Sequence, residues 1–270
     1  MCPRQPARQL QNRTGKNDSL TCNMKNRKTP ADVYEIFQTL APRYDRANAR
    51  ISLGLERGWK KMLVKRLPAG IGAGEQVLDV CCGTGDIAIA LAGENPDLAI
   101  TGLDFSPAML EVAREKGKGL SNLTWVEGDA MELPFPDGTF AAACISFGLR
   151  NTPDYARVLR EMKRVVRPGG KVYCLDSFVP DNPIILPAYR LYFRHIMPVL
   201  GGGRKYHEQY TWLYQSTEQF PRRKKLMRQF ARTGLAQVQS RSRMLGACVL
   251  VEGTKPEQIT TGENYERRKI

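Results

Sequence analysis

The chain has 270 residues, 42% hydrophobic and 25% charged, enough for one large domain with a full core or a domain with appendages. No apolar run approaches the roughly 20 residues that a bilayer-spanning helix needs, and the first 30 residues lack the apolar segment of a secretory signal, so neither a spanning nor a secreted class is expected. The net charge of +14 is concentrated, with +6 in residues 1–28 and +8 in residues 190–232. A basic surface beside aromatic residues fits an anionic membrane face, with a merely solvated face as the plain alternative; nucleic acid is not expected as a partner.

Residues 1–28 are polar, show no apolar periodicity and read as a disordered basic tail. Met24 stands just before the first structured pattern and reads as the natural start; a mitochondrial presequence is the rival, but an amphipathic apolar face is missing. Val33, Ile36, Phe37 and Leu40 have helical spacing, a turn at 41–45 follows, and a second helix is expected from about Arg50 to Leu67. Strands then alternate with helices: strand 76–81, helix 85–93, strand 98–104, helix 107–117 and strand 123–127, then strand 139–146, helix 153–167 and strand 171–178. Pro168-Gly169-Gly170 reads as a tight turn into the last of these. Residues 183–232 form a helical insertion rich in Tyr, Phe and Arg, and 236–240 with 245–252 close the domain as an antiparallel pair. The pattern is α/β: a doubly wound, mostly parallel, seven-stranded sheet with N-terminal helices and an insertion before the last two strands. One domain covers 29–253, with a flexible tail over 254–270.

The run Val77-Leu78-Asp79-Val80-Cys81-Cys82-Gly83-Thr84-Gly85-Asp86 ends a strand and opens a helix. Gly83 and Gly85 let the backbone approach a ligand, at the place where an open α/β sheet binds a nucleotide. With Ala88 the glycines satisfy G-x-G-x-x-A, which suits NAD equally. Three acids narrow the choice. Asp79 lies inside the strand, where it can meet a ligand's ammonium but would repel a pyrophosphate. Asp104 ends the next strand and can reach ribose hydroxyls. Asp129, followed by Ala130 and Leu133-Pro134-Phe135, suits an adenine ring and its exocyclic amine. Adenine, ribose and ammonium without pyrophosphate describe S-adenosylmethionine. Seven cysteines without a CxxC pair read as reduced thiols, mostly buried, and no metal site is expected.

The sequence resembles the class I methyltransferases, and among them the ubiquinone/menaquinone biosynthesis C-methyltransferases, from about residue 31 to 253. The resemblance rests on the glycine loop, on Ala41-Pro42-Arg43-Tyr44-Asp45-Arg46-Ala47-Asn48, on Gly128-Asp129-Ala130-Met131-Glu132-Leu133-Pro134-Phe135, and above all on Ser146-Phe147-Gly148-Leu149-Arg150-Asn151. Two departures are visible. Phe140-Ala141 stands where the family usually has Phe-Asp, and Leu175-Asp176-Ser177-Phe178 where it usually has Leu-Glu-Phe-Ser.

The resemblance implies Thr84, Asp104, Asp129, Ala130 and Ser146 as cofactor contacts, joined by Asp79, Gly83 and Gly85 on the loop argument. It implies methylation of a ring carbon on a demethylated prenyl-quinol, with demethylmenaquinol preferred and a ubiquinone precursor or another lipid-like phenol as the alternative. Arg150 is the first catalytic candidate, since a fixed cation beside a ring hydroxyl lowers its pKa and stabilises phenolate. Asn151 and Tyr44 would orient that arrangement. Asp45 either pairs with Arg150 or caps a helix. His195 and His207 could act as bases but lie in no recognised motif. A long isoprenoid tail places the substrate in a membrane, so the protein is expected in the cytoplasm, peripherally bound at the inner membrane face. Tyr189, Leu191, Tyr192, Phe193, Arg194 and residues 222–225 would form the docking surface. A homodimer is compatible with the sequence. An NAD-linked dehydrogenase and a non-catalytic cofactor-binding scaffold are the rival classes.

Overall fold

The computed structural model describes Gln38, Ala41 and residues 44–52, 54–197 and 207–257. The basic tail, the helix expected around 33–40, apart from Gln38, and most of the C-terminal tail lie outside the described residues.

Seven strands, β1 (Gln76–Val80), β2 (Ala99–Asp104), β3 (Leu123–Glu127), β4 (Phe140–Ser146), β5 (Val166–Ser177), β6 (Ala236–Arg243) and β7 (Cys248–Thr254), form one sheet in the order β3-β2-β1-β4-β5-β7-β6. The first five run parallel, and β7 is antiparallel to both β5 and β6. The order reverses between β1 and β4, so a crevice opens beyond their C-terminal ends.

The helices are α1 (Tyr44–Ile51), α2 (Glu56–Arg66), α3 (Asp86–Glu94), α4 (Pro107–Lys116), α5 (Tyr155–Val165), α6 (Leu186–Leu191, continuing as a π-turn over Tyr192–Ile196), α7 (His207–Gln219) and α8 (Arg223–Arg232). Local chemistry fixes their starts. Ser106 caps α4 by accepting from the Met109 N–H, with Pro107 at the first helical position. Asp154 caps α5 by accepting from the Ala156 and Arg157 N–H groups. Two cores result. Val77, Ile100 and Tyr173 pack with Leu63 of α2 and Ile87 and Leu91 of α3. Leu78, Val80 and Leu103 pack with Val158 and Met162 of α5 and Phe230 of α8. Each fully buried aliphatic side chain contributes about 1.5–3 kcal/mol.

Three boundaries differ from expectation. The helix expected over 50–67 is two helices, because Gly54 takes a left-handed φ of 76° and its N–H closes on the Ala49 carbonyl; Tyr44 and Asp45 thus open α1 rather than complete a turn. β5 already starts at Val166, and Pro168-Gly169-Gly170 bulges out of it, since two steps along β4 (Phe140 to Ala142) match five along β5 (Val166 to Lys171). β7 starts at Cys248 and not at Leu245, because Met244 and Leu245 both hold positive φ (49° and 56°) in the preceding turn.

Candidate active site

Two cavities meet above the β1–β4 switch. The first, of about 300 Å3, is lined by the ends of β1, β2 and β4: Cys81, Gly83, Asp104, Asp129, Ala130 and Ser146 among others. Among the described residues, Asp104 and Asp129 are the only charged ones that line it. Two carboxylates without a cation beside them favour a cationic nucleoside over the anionic pyrophosphate of a dinucleotide.

Asp104 is 4% exposed, with Oδ2 accepting from the Gly83 N–H (2.8 Å) and Oδ1 from the Ser106 N–H (2.9 Å). Burial raises its pKa, opposed by those N–H groups. The carboxylate is therefore fixed in place at the strand end, with lone pairs left for a diol. Gly83 has φ 55°, and a Cβ built on it would meet nothing within 4 Å; the missing side chain leaves room for a ligand. Asp129 holds its own loop through Oδ1, which accepts from the Met131 N–H (2.8 Å).

Three expected cofactor contacts stand elsewhere. Gly85 does not line the cavity; a Cβ there would lie 2.4 Å from the Trp125 indole, so its smallness serves packing. Thr84 is 2% exposed and donates to Asp45 Oδ1 (2.6 Å), and Asp45 also receives Lys116 (2.7 Å). Asp45 thus pairs with Lys116 and not with Arg150, tying α1 to α4. Asp79 is 1% exposed and does not line the cavity. Strand alternation turns it toward α3, where it accepts from the Ala88 N–H and from Cys144 Sγ (3.5 Å) while Oδ2 stays without a partner; burial pushes its pKa up to about 7.

The second cavity, of about 420 Å3, is lined mostly by apolar side chains from α1, α2, α6, the β6–β7 turn and the end of β5, including Leu55, Trp59, Ile185, Tyr189, Phe193 and Leu245. Tyr44 and Phe147 line both cavities and form the wall between them. Phe147 holds a positive φ of 54°, and Cys81, at the end of the neighbouring strand, also sits at 54°. Such strain in residues with a Cβ collects where a site must be shaped. Burial raises the Tyr44 pKa, opposed by Asn48 and Arg150.

Arg150 and Asn151 are adjacent in sequence but serve different cavities. Asn151 lines the first, and its buried Oδ1 has no partner among the described residues. Arg150 lines the second. Its Nη1 is paired with Asp176 Oδ1 in an ion pair whose side chains are 6% and 0% exposed, and its Cζ lies 6.0 Å from the Phe147 ring centroid. Among the described residues Arg150 Nε and Asp176 Oδ2 both lack partners, as does the hydroxyl of Tyr189, 7% exposed and influenced by the Arg150 charge. Three orphan polar atoms around one cation are rare in a folded interior and mark a place for a polar ligand atom.

Sequence reasoning missed Asp176, Tyr189 and Phe147. Asp176 sits at the departure from the usual family string and read as a strand end. Tyr189 was expected on a docking surface; it is buried against Phe193 instead, with ring centroids 4.4 Å apart. Tyr192 and Phe193 are half-buried on the same cavity, whereas Leu191 and Arg194 are exposed. His195 is exposed and lines neither cavity; the His207 side chain lies outside the described residues.

The fold matches solved methyltransferases. A Haemonchus contortus phosphoethanolamine N-methyltransferase 2, in complex with phosphomonomethylethanolamine and S-adenosylhomocysteine, is 16% identical with a TM-score of 0.62, over 85% of this chain and 61% of that one. A SAM-dependent methyltransferase of Thermotoga maritima is 19% identical with a TM-score of 0.58, over 83% and 99%. By sequence, the demethylmenaquinone methyltransferases of Staphylococcus aureus strains JH9 and Newman are each 42% identical over 240 residues, 88% of this chain and 99% of theirs. The ubiE/COQ5 methyltransferase family matches residues 22–255, and with the acid-lined cavity beside an apolar one, the chain belongs to that family.

Proposed function

We propose that this protein transfers a methyl group from S-adenosylmethionine to a ring carbon of a demethylated prenyl-quinol, demethylmenaquinol before a ubiquinone precursor. The observation that carries the reading is the pair of cavities sharing Tyr44 and Phe147: one whose charged lining residues are the acids Asp104 and Asp129, the other mostly apolar around a buried guanidinium.

In the first cavity Asp104 would hold the ribose diol, Asp129 and Ala130 the adenine, and Gly83 and Ser146 the edge nearest the sheet. The cofactor supplies an electrophilic methyl on sulfur. The second cavity would hold the quinol ring near the wall with its tail running toward the mouth. Arg150, fixed by Asp176, faces the ring oxygen and stabilises the developing phenolate. Tyr189 hydrogen-bonds the same end of the ring, and Tyr44 and Asn151 hold the two reactants in line.

The mouth of the second cavity fits a membrane surface. Leu55, Met244 and Leu245 line it and are 40%, 50% and 73% exposed. Ile184 and Leu191 on the insertion add exposed apolar surface, with exposed Arg190, Arg194, Lys224, Lys225, Arg241 and Arg243 on the insertion and the last hairpin. No described helix is long and apolar enough to cross a membrane. Peripheral docking on an anionic leaflet would let a lipid substrate enter without leaving it. The test is sedimentation with anionic and neutral vesicles: retention on anionic vesicles, lost in Leu245→Asp, supports docking, and equal failure on both kinds at low salt contradicts it.

A further inference from the structure

A ring carbon cannot attack until its neighbouring hydroxyl loses a proton, and Arg150 carries a full charge that makes it a poor acceptor. Among the described residues, three buried carboxylates lie near the two cavities without being committed to the nucleoside end. Asp176 is closed, at 0% side-chain exposure, and bound to Arg150. Asp79 is beneath the glycine loop on the far side of β1. Glu56, in the first turn of α2, is different: among the described residues it is the one carboxylate that lines the second cavity, and its side chain keeps 11% of its surface open.

Resting on the reading above, we propose that Glu56 is the general base of this reaction. Its surroundings favour the task. Lys60 and Arg57 on its own helix, Asp45 on α1 and Asp86 on α3 are the charged groups acting on it, and Arg150, Tyr44, Tyr189 and Tyr192 are the other titratable residues lining the cavity. Lys60 stands 3.9 Å from Glu56 but spends its contact on Asp86 at 2.6 Å. The carboxylate is therefore not locked in a close ion pair. Burial raises its pKa above the ordinary glutamate value, with Lys60 opposing, which brings it closer to the working pH of a base.

The step balances. The ring O–H proton passes to the Glu56 carboxylate, and the electron pair it leaves flows into the ring. The ortho carbon forms its bond to the methyl as the carbon–sulfur bond breaks, with that pair staying on sulfur. The ring carbon then releases its hydrogen to water as a proton, and Glu56 returns its proton to the oxygen, restoring the aromatic quinol. One proton is released per turnover.

The test compares wild type, Glu56→Gln and Glu56→His on a demethylated quinol and on an analogue whose ring hydroxyl is already ionised at the assay pH. The wild type sets the frame: if it binds S-adenosylmethionine but methylates no quinol, the proposed function fails before Glu56 is judged. If it is active, Glu56→Gln is expected to lower kcat by about 10²–10⁴-fold on the quinol, with unchanged cofactor affinity and near-normal turnover of the ionised analogue. Glu56→His is expected to restore activity with its acid limb near the histidine pKa of about 6.5. Equal losses on both acceptors, or a Gln variant within about threefold of wild type at every pH, overturn the assignment. Should Glu56→Gln fail to fold, the His variant decides: an acid limb unmoved from that of wild type overturns it.

Discussion

Arg150, in the turn after β4, and Asp176, near the end of β5, pair with almost no exposure, yet Arg150 Nε and Asp176 Oδ2 are each left without a partner among the described residues. A buried ion pair of this kind adds little net stability and is costly to halve. Asp176→Asn should destabilise the protein by about 3–5 kcal/mol, whereas replacing both residues with apolar ones of similar volume should come within about 1 kcal/mol of wild type and be inactive. Urea denaturation beside turnover assays checks both parts. Recovery of activity in the doubly apolar variant would show that the pair serves no chemistry.

Tyr189→Phe keeps the ring that packs on Phe193 and removes only the orphan hydroxyl. A lost hydrogen bond to substrate should raise KM for the quinol about tenfold, or about 1.4 kcal/mol, with cofactor affinity unchanged. An analogue lacking the corresponding ring oxygen should not distinguish the two proteins.

Gly83 and Gly85 should separate binding from folding. Gly85→Ala drives a methyl into the Trp125 indole at 2.4 Å and should cost several kcal/mol of stability, on the order of 2–4. Gly83→Ala meets nothing and should cost about 1 kcal/mol for its left-handed backbone, while weakening cofactor binding at least tenfold. Thermal melts and cofactor titration read the two effects apart.

Asp79 gives a pH signature. Its folded pKa, about 7, lies above the ordinary aspartate value because burial disfavours the charge. The folded state therefore holds a proton that the unfolded chain has lost, and this contribution is fully present below about pH 4 and is lost as pH rises toward 7. Asp79→Asn, which does not titrate, should gain stability relative to wild type between roughly pH 5 and roughly pH 8. A stability difference that stays constant across that range contradicts a protonated Asp79.

The residues legible in the sequence are those whose place follows from a strand end. Asp104, Asp129, Ala130, Ser146 and Gly83 all line the first cavity, because parallel β-strands deliver their last residues and the loops that follow them to one edge. Asp79 and Thr84 failed on local geometry: alternation points Asp79 under α3, and Thr84 turns to Asp45. Asp176, Glu56 and Tyr189 were out of reach for another reason. Each is brought to the second cavity by tertiary packing of β5, α2 and the insertion, and none carries a local signal. Tyr189 misled outright, since an aromatic residue among arginines reads as surface until α6 is seen to line the second cavity. The break at Gly54 was hidden by apolar residues that continue on both sides of it.

Methyl transfer to a ring carbon of a demethylated prenyl-quinol is read out by incubation with methyl-labelled S-adenosylmethionine and a panel of demethylated naphthoquinols and benzoquinols, with products identified by mass spectrometry. One labelled methyl on a ring carbon, formed fastest with demethylmenaquinol, is expected. Label on oxygen, or no label in any quinol from protein that binds the cofactor, would contradict it.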